Sequence, residues 1–228
     1  ADGAFGEKLY EDHPGCKALF GFEGANLLVR AKDVTCGPEG STFTICFDEE
    51  EITAQTRLLG RHNIMNILGA SAVAYEMGLT TEQIVRGISK VEPIEHRLQI
   101  LPSENGVTVI DDSFNANPVG SSAALDVLAC FPGRKILITP GMVELGGEED
   151  AHNLAFGRKI AKTADLVFLV GKRRADVILT GMLEEGFAET NIIRTHTLAE
   201  ASERLKDYMR TGDVVLFIND LPDNYEEQ

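Results

Sequence analysis

The stretch Val107-Thr108-Val109-Ile110-Asp111-Asp112-Ser113-Phe114-Asn115-Ala116-Asn117-Pro118 decides how the second half of the chain is read. Its first four residues are all β-branched, the mark of a strand packed on a half-buried or buried surface. The apolar run stops at two acids, a serine and two asparagines, and beyond Pro118 the apolar residues of 121–129 take up a helical spacing. Strand, polar turn and helix then recur: 135–139 with 151–161, 165–170 with 175–185, 192–195 with 198–209, and a last strand over 213–218. Short β-branched or apolar strands joined by amphipathic helices predict an α/β sheet covered on both faces.

Working back towards the start, the pattern changes. From His62 the apolar residues Ile64, Ile67, Leu68, Ala72, Val73 and Met77 keep a helical period, and Gly78 supplies a stop. Thr80 or Thr81 can cap a second helix that buries Ile84, Val85 and Ile88. Before residue 60 the chain reads as β-rich, with runs over 25–34 and 41–47 flanking a Gly/Pro turn cluster and a third strand over 51–59. Lys90 to Arg97 holds a proline and no clean period, which predicts a connection between two domains, 1–97 and 98–228.

Composition narrows the classes of function. With 43% hydrophobic and 25% charged residues, 228 residues suffice for one large domain or two smaller ones. A net charge of −15 repels nucleic acid and anionic membranes, so neither is expected as the main partner. No apolar run reaches the roughly 20 residues of a membrane span. The N-terminus shows no signal peptide, and its lack of Met suggests an excised or processed piece. Four cysteines without C-x-x-C spacing read as reduced cytosolic thiols, although Cys36 and Cys46 could face each other across a hairpin. The histidines form no metal-ligand pattern.

Ligands of open α/β sheets sit beyond the carboxyl ends of the strands, which selects 111–118, 140–147 and 171–174. In the first segment the carboxylates can hold Mg²⁺ through water or bind a ribose hydroxyl, and the amides can orient a polar substrate. Equally, Asp112 and Ser113 can cap the helix while Asn-Pro makes a turn. Asn63 and Asn66 share a helical face and can pair with the N6/N7 edge of adenine, or Asn63 can serve as a cap. His96 can stack on a base and Arg97 can bind phosphate oxygens, or Glu95-His96-Arg97 can bridge the two domains. Gly171-Lys172-Arg173-Arg174 is either a solvated helix start or an anion contact. No G-x-x-x-x-G-K-[ST] phosphate loop occurs in the chain.

In their order, four of these segments resemble the Mur ligase family. Gly60-Arg61-His62-Asn63-Ile64-Met65-Asn66 is similar to its G-x-H-N-x-x-N helix, and Glu95-His96-Arg97 to its interdomain His/Gly-Arg element. Residues 111–118 are similar to the D-D-S-Y-N-A-N-P signature of one branch, and Met142-Val143-Glu144-Leu145-Gly146 with His152 to its M-x-E-L-G…H stretch.

The resemblance implies an α/β fold in which a remnant of the central ATPase domain, a β-rich segment plus helices, precedes a Rossmann-like C-terminal domain that closes over ATP. It implies a cytoplasmic, ATP- and Mg²⁺-dependent ligase of peptidoglycan synthesis, whose metal ligands and phosphate loop lie in an upstream part of the same polypeptide. Its substrates would be a UDP-linked muramoyl peptide and D-Ala-D-Ala. Asn63 and Asn66 would then hold adenine, and His96 and Arg97 would approach base and phosphates. Asp112 would contact ribose or phosphate-bound groups, with Asn115 and Asn117 shaping the amine side. Without the upstream part the chain is expected not to turn over ATP.

The sequence departs from the branch at Phe114, where the signature has tyrosine, at Gly141, where it has aspartate, and in the tail from Phe217 to Tyr225. A divergent ligase joining another carboxylate and amine, or a catalytically silent nucleotide-binding module, are the alternatives.

Overall fold

A computed structural model describes residues 6–15, 17–48, 50–102, 105–114 and 116–218. Asn115, one of the candidate residues, lies outside the described residues, as do Cys16 and the tail from 219. The chain forms two compact units, 1–93 and 94–228, each with its own apolar core.

The first unit opens with a short helix α1 (Gly6–Asp12) and continues into a four-stranded sheet in the order β1-β2-β3-β4. Strand β1 (Leu19–Gly21) runs parallel to β2 (Leu27–Gly37), whereas β2, β3 (Gly40–Phe47) and β4 (Glu50–Thr56) form an antiparallel meander. Alternation sets which face is buried. Phe43, Ile45 and Phe47 of β3 and Ala54 of β4 point into a core closed by Ile64, Ile67 and Leu68 of α2 (Arg61–Glu76) and by Ile84 and Ile88 of α3 (Thr81–Ile88). Thr80 caps α3 in a full capping box with Gln83, as its hydroxyl chemistry predicts.

Some details differ from the sequence reading. Helix α1 and strand β1 are too short to carry a periodic signal, and the third strand stops at Thr56 rather than Leu59. In the β2–β3 register Cys36 faces Ser41 and Cys46 faces Arg30, so the two thiols do not oppose each other, and both are free.

The second unit is a six-stranded sheet in the order β5-β6-β10-β7-β8-β9, parallel except for the edge strand β5 (Gln99–Leu101). The parallel strands are β6 (Thr108–Asp112), β7 (Lys135–Thr139), β8 (Leu166–Val170), β9 (Ile192–Thr195) and β10 (Val214–Ile218), with α4 (Pro118–Cys130), α5 (Glu149–Thr163), α6 (Arg173–Glu184) and α7 (Leu198–Tyr208) between them. Every residue of β8 is buried, which requires cover on both faces. Ala201 and Leu205 of α7 close one face over Ile136, Phe168 and Val215, and α4, α5 and α6 pack side by side as the second layer. This is the doubly covered α/β sheet expected from the strand–helix alternation.

Candidate active site

Segment 111–114 sits where β6 leaves the sheet, and topology brings a second segment to it. Edge strand β5 runs antiparallel to β6 and pairs Gln99 with Asp111, so residues 96–98 must pass alongside 112–114. The two are tied by side chains. Asp111 Oδ2 lies 2.7 Å from His96 Nδ1, while Asp111 Oδ1 accepts the Ser113 backbone N–H at 3.1 Å. The Ser113 hydroxyl also lies 3.3 Å from His96 Nδ1. An ionised carboxylate only accepts, so in this pair Nδ1 carries a proton and Nε2 is turned away from Asp111.

Asp112 Oδ1 accepts the Leu98 backbone N–H at 3.2 Å. His96 (φ 61°) and Leu98 (φ 49°) both occupy the left-handed region, which disfavours non-glycine residues. Arg97 lies between them, its Cζ 4.4 Å from the centre of the Phe114 ring. Burial pushes the Asp112 carboxyl up to about 6, with the Asp111 charge adding to the rise and the Leu98 N–H and Arg97 charge opposing it.

Asn117 is the N-cap of α4. Its Oδ1 accepts Gly120 N–H at 2.9 Å, and Pro118 follows at the first helical position. The cap is therefore Asn117 and not Asp112 or Ser113, and the Asn117 Nδ2 group remains for another partner.

In the first unit Asn63 is no cap either. Gly60 takes that position at φ 85° with no side-chain bond, and Asn63 Nδ2 donates back to Leu59 O at 2.9 Å. Asn66 is exposed three residues on. Beside them His62 Nδ1 is buried without a partner, and burial lowers its pKa, favouring the neutral ring. A hollow of about 330 Å³ in this unit, lined by Leu9, Tyr10, Leu19 and Phe20, includes none of the candidate residues.

The other two strand-end segments are held internally. Asn153, fully buried on α5, accepts Met142 N–H at 2.9 Å and donates to Met142 O and Glu149 O, both at 3.0 Å. Sequence reading passed over it because a single buried amide leaves no periodic trace. Arg173 pairs with Glu149 and Asp150, and Arg174 lies 3.7 Å from Glu149, so the two arginines of this basic cluster face the acidic first turn of α5.

Among the described residues no group of three or more His, Cys, Asp or Glu side chains could hold a metal ion. Both Asp111 oxygens are already engaged, by His96 and by the Ser113 N–H, which leaves that carboxylate little capacity for a metal ion. No helix among the described residues is long and apolar enough to cross a membrane.

The second unit is of the open α/β class, and its polar residues Asp111, Asp112 and Ser113 gather at a strand end, where ligands of such sheets sit. Comparison with known proteins narrows it. Residues 2–74 match the Mur ligase middle domain, and residues 96–218 match the domain described as Mur ligase, glutamate ligase domain. The chain belongs to the Mur ligase family.

Among similar proteins, the UDP-N-acetylmuramoyl-tripeptide--D-alanyl-D-alanine ligase of Bacillus subtilis is 28% identical over 92% of this chain and 46% of its own length. The ligase of the same name from Escherichia coli is 32% identical over 77% of this chain and 39% of its own. The crystal structure of the MurF ligase from Thermotoga maritima in complex with ADP has a TM-score of 0.79 at 20% identity, over 94% of this chain and 48% of that one, a likeness of fold. The chain thus spans less than half the length of these relatives.

Proposed function

We propose that the chain forms part of an ATP-dependent ligase that joins D-Ala-D-Ala to a UDP-linked muramoyl tripeptide in the cytoplasm. The observation that carries this reading is the alignment to D-alanyl-D-alanine-adding ligases across 92% of the chain, both units included. In such a reaction the tripeptide carboxylate takes the γ-phosphoryl group of ATP, giving an acyl phosphate and ADP. The amine of D-Ala-D-Ala then attacks the acyl carbon, a proton leaves the nitrogen, and the tetrahedral intermediate expels inorganic phosphate as the amide forms. Catalysis of this kind needs phosphoryl charge neutralised and the amine held in line.

The roles divide by unit. Asn63 and Asn66 bind the adenine edge. Arg97 neutralises phosphate charge, and His96, fixed by Asp111, presents Nε2 towards the nucleotide. Asp112 accepts from a ribose hydroxyl or a phosphate-bound group through the oxygen that Leu98 does not use. Asn115 and the Asn117 amide group shape the amine side. The phosphate loop and the Mg²⁺ ligands come from an upstream part of the same polypeptide. The test is phosphate release by the complete polypeptide, which should require UDP-muramoyl tripeptide and D-Ala-D-Ala together. Release that ignores either one refutes the reading.

Gly141 favours a second reading, in which the chemistry is kept and the amine differs. It sits at φ 87°, where an added Cβ would lie 2.8 Å from Asn153 Oδ1 and 3.0 Å from Ile178 Cδ1. The aspartate usual in the branch has no room here, so this loop is built differently. Phosphate release with another amine, and none with D-Ala-D-Ala, would select this alternative.

A further inference from the structure

Phe114 is 63% exposed, an unusual place for a large apolar ring in a short polar segment. Its face is nonetheless occupied, since the Arg97 guanidinium carbon lies 4.4 Å from the ring centre. Among the described residues the Arg97 guanidinium makes no ion pair or hydrogen bond, although its charge acts on Asp112 and the Arg97 backbone N–H donates to Ile94 O at 3.2 Å. A guanidinium held over a ring face by cation–π attraction spends no hydrogen bond on that contact, so N–H donors stay available for an oxyanion.

The backbone is fixed on both sides of the same residue. His96 is tied to Asp111 and Ser113, and Leu98 to Asp112, with both residues in the left-handed region. Each of residues 96–98 therefore meets its own partner in 111–114, and Phe114 is the partner that touches the Arg97 side chain.

We infer that Phe114 is a positioning residue that holds the Arg97 guanidinium ready for a phosphate group, an inference that rests on the phosphate-binding role proposed for Arg97. The ring face and not a hydroxyl carries this function, so tyrosine at 114 would serve equally and an aliphatic side chain would not.

Two measurements test it. In the 228-residue chain labelled at arginine nitrogen, the Arg97 Nε–H resonance should show the upfield shift of a proton over a ring, lose it in Phe114→Leu and keep it in Phe114→Tyr. An Arg97 resonance that Phe114→Leu leaves in place overturns the inference whatever Arg97 does. In the complete ligase, Phe114→Leu should raise the KM for ATP about two- to fivefold, the size of an exposed cation–π contact, with kcat little changed. Phe114→Tyr should restore the wild-type value, and Phe114→Leu should add nothing once Arg97→Ala is present. If Phe114→Leu is equally harmful without Arg97, the ring acts on the ligand directly and the inference fails. If Arg97→Ala alone leaves the KM unchanged, the phosphate role of Arg97 falls instead, and the resonance still decides whether the ring holds it.

Discussion

Asp112 shows most directly how one residue couples the fold to a site. Its carboxyl is raised to about 6 chiefly by burial, from an ordinary value of 3.8. The folded protein therefore holds this proton more tightly than the unfolded chain, and stability falls as pH rises from about 4 to about 6, staying low above that. A shift of this size corresponds to roughly 2–3 kcal/mol. Asp112→Asn keeps an oxygen for the Leu98 N–H and removes the buried charge. It should raise the urea midpoint at pH 8, with the advantage shrinking as pH approaches 4; a variant no more stable at pH 8 would show that Asp112 carries no such penalty. A destabilising carboxyl retained at a strand end fits a group kept for binding. The sequence displayed Asp112, His96, Arg97 and Asn117 as candidates because polar residues at a strand end and at a linker stand out. It did not display their partners. The Asp111–His96 bond depends on β5, a three-residue strand without a periodic signal, and the capping role of Asn117 looked from sequence like a choice between turn and substrate contact.

At the scale of elements, the strands and helices of 107–218 were legible almost throughout, because each strand is a short β-branched or apolar run and the helices between them are amphipathic. Strands β7 and β9 begin and end at the residues the sequence predicts, 135–139 and 192–195. Loops were read less well, since their conformation is set by single buried polar groups. The loop after β7 is the clear case. Asn153 satisfies both the N–H and the C=O of Met142, and Met142 and Val143 are buried beneath it. Asn153→Ala leaves those two groups unpaired and should cost about 3 kcal/mol, read as a lower urea midpoint. Asn153→Asp, which keeps the acceptor and loses the donor, should be no better. Gly141→Asp, the residue usual in the related branch, should also destabilise by at least 1–2 kcal/mol, because a left-handed backbone penalises any Cβ and Asn153 Oδ1 already occupies the space. If Gly141→Asp proves neutral in denaturant titration, the loop has room that the geometry does not show.

At the scale of the whole molecule, the two cores share no residue: Phe43, Ile45 and Leu68 belong to one cluster, and Ile136, Phe168 and Val215 to the other. A unit with its own closed core can fold by itself. Residues 94–228 expressed alone should therefore unfold in a single cooperative transition, and a broad, non-cooperative transition would count against it. The same fragment tests what ties together the starts of the adjacent strands β10 and β7. Arg134 grips Asp213 through two bonds, Nε to Oδ1 at 3.1 Å and Nη2 to Oδ2 at 2.6 Å, and Asp213 also accepts the Arg210 N–H at 2.8 Å. Burial raises the Asp213 carboxyl, but the Arg134 bond and charge and the Arg210 N–H outweigh it and leave the pKa below its ordinary value. For a carboxyl lowered in this way, the stabilisation is present above the unfolded value near 4 and is lost as pH falls through the folded one. Asp213→Asn should therefore destabilise the fragment by about 2–3 kcal/mol at pH 7, since it strands a half-buried arginine. The difference from wild type should narrow below about pH 4, where the native carboxylate is itself being protonated. A gap that stayed constant from pH 7 to pH 3 would mean that packing, and not the Arg134–Asp213 charge pair, ties β10 to the start of β7.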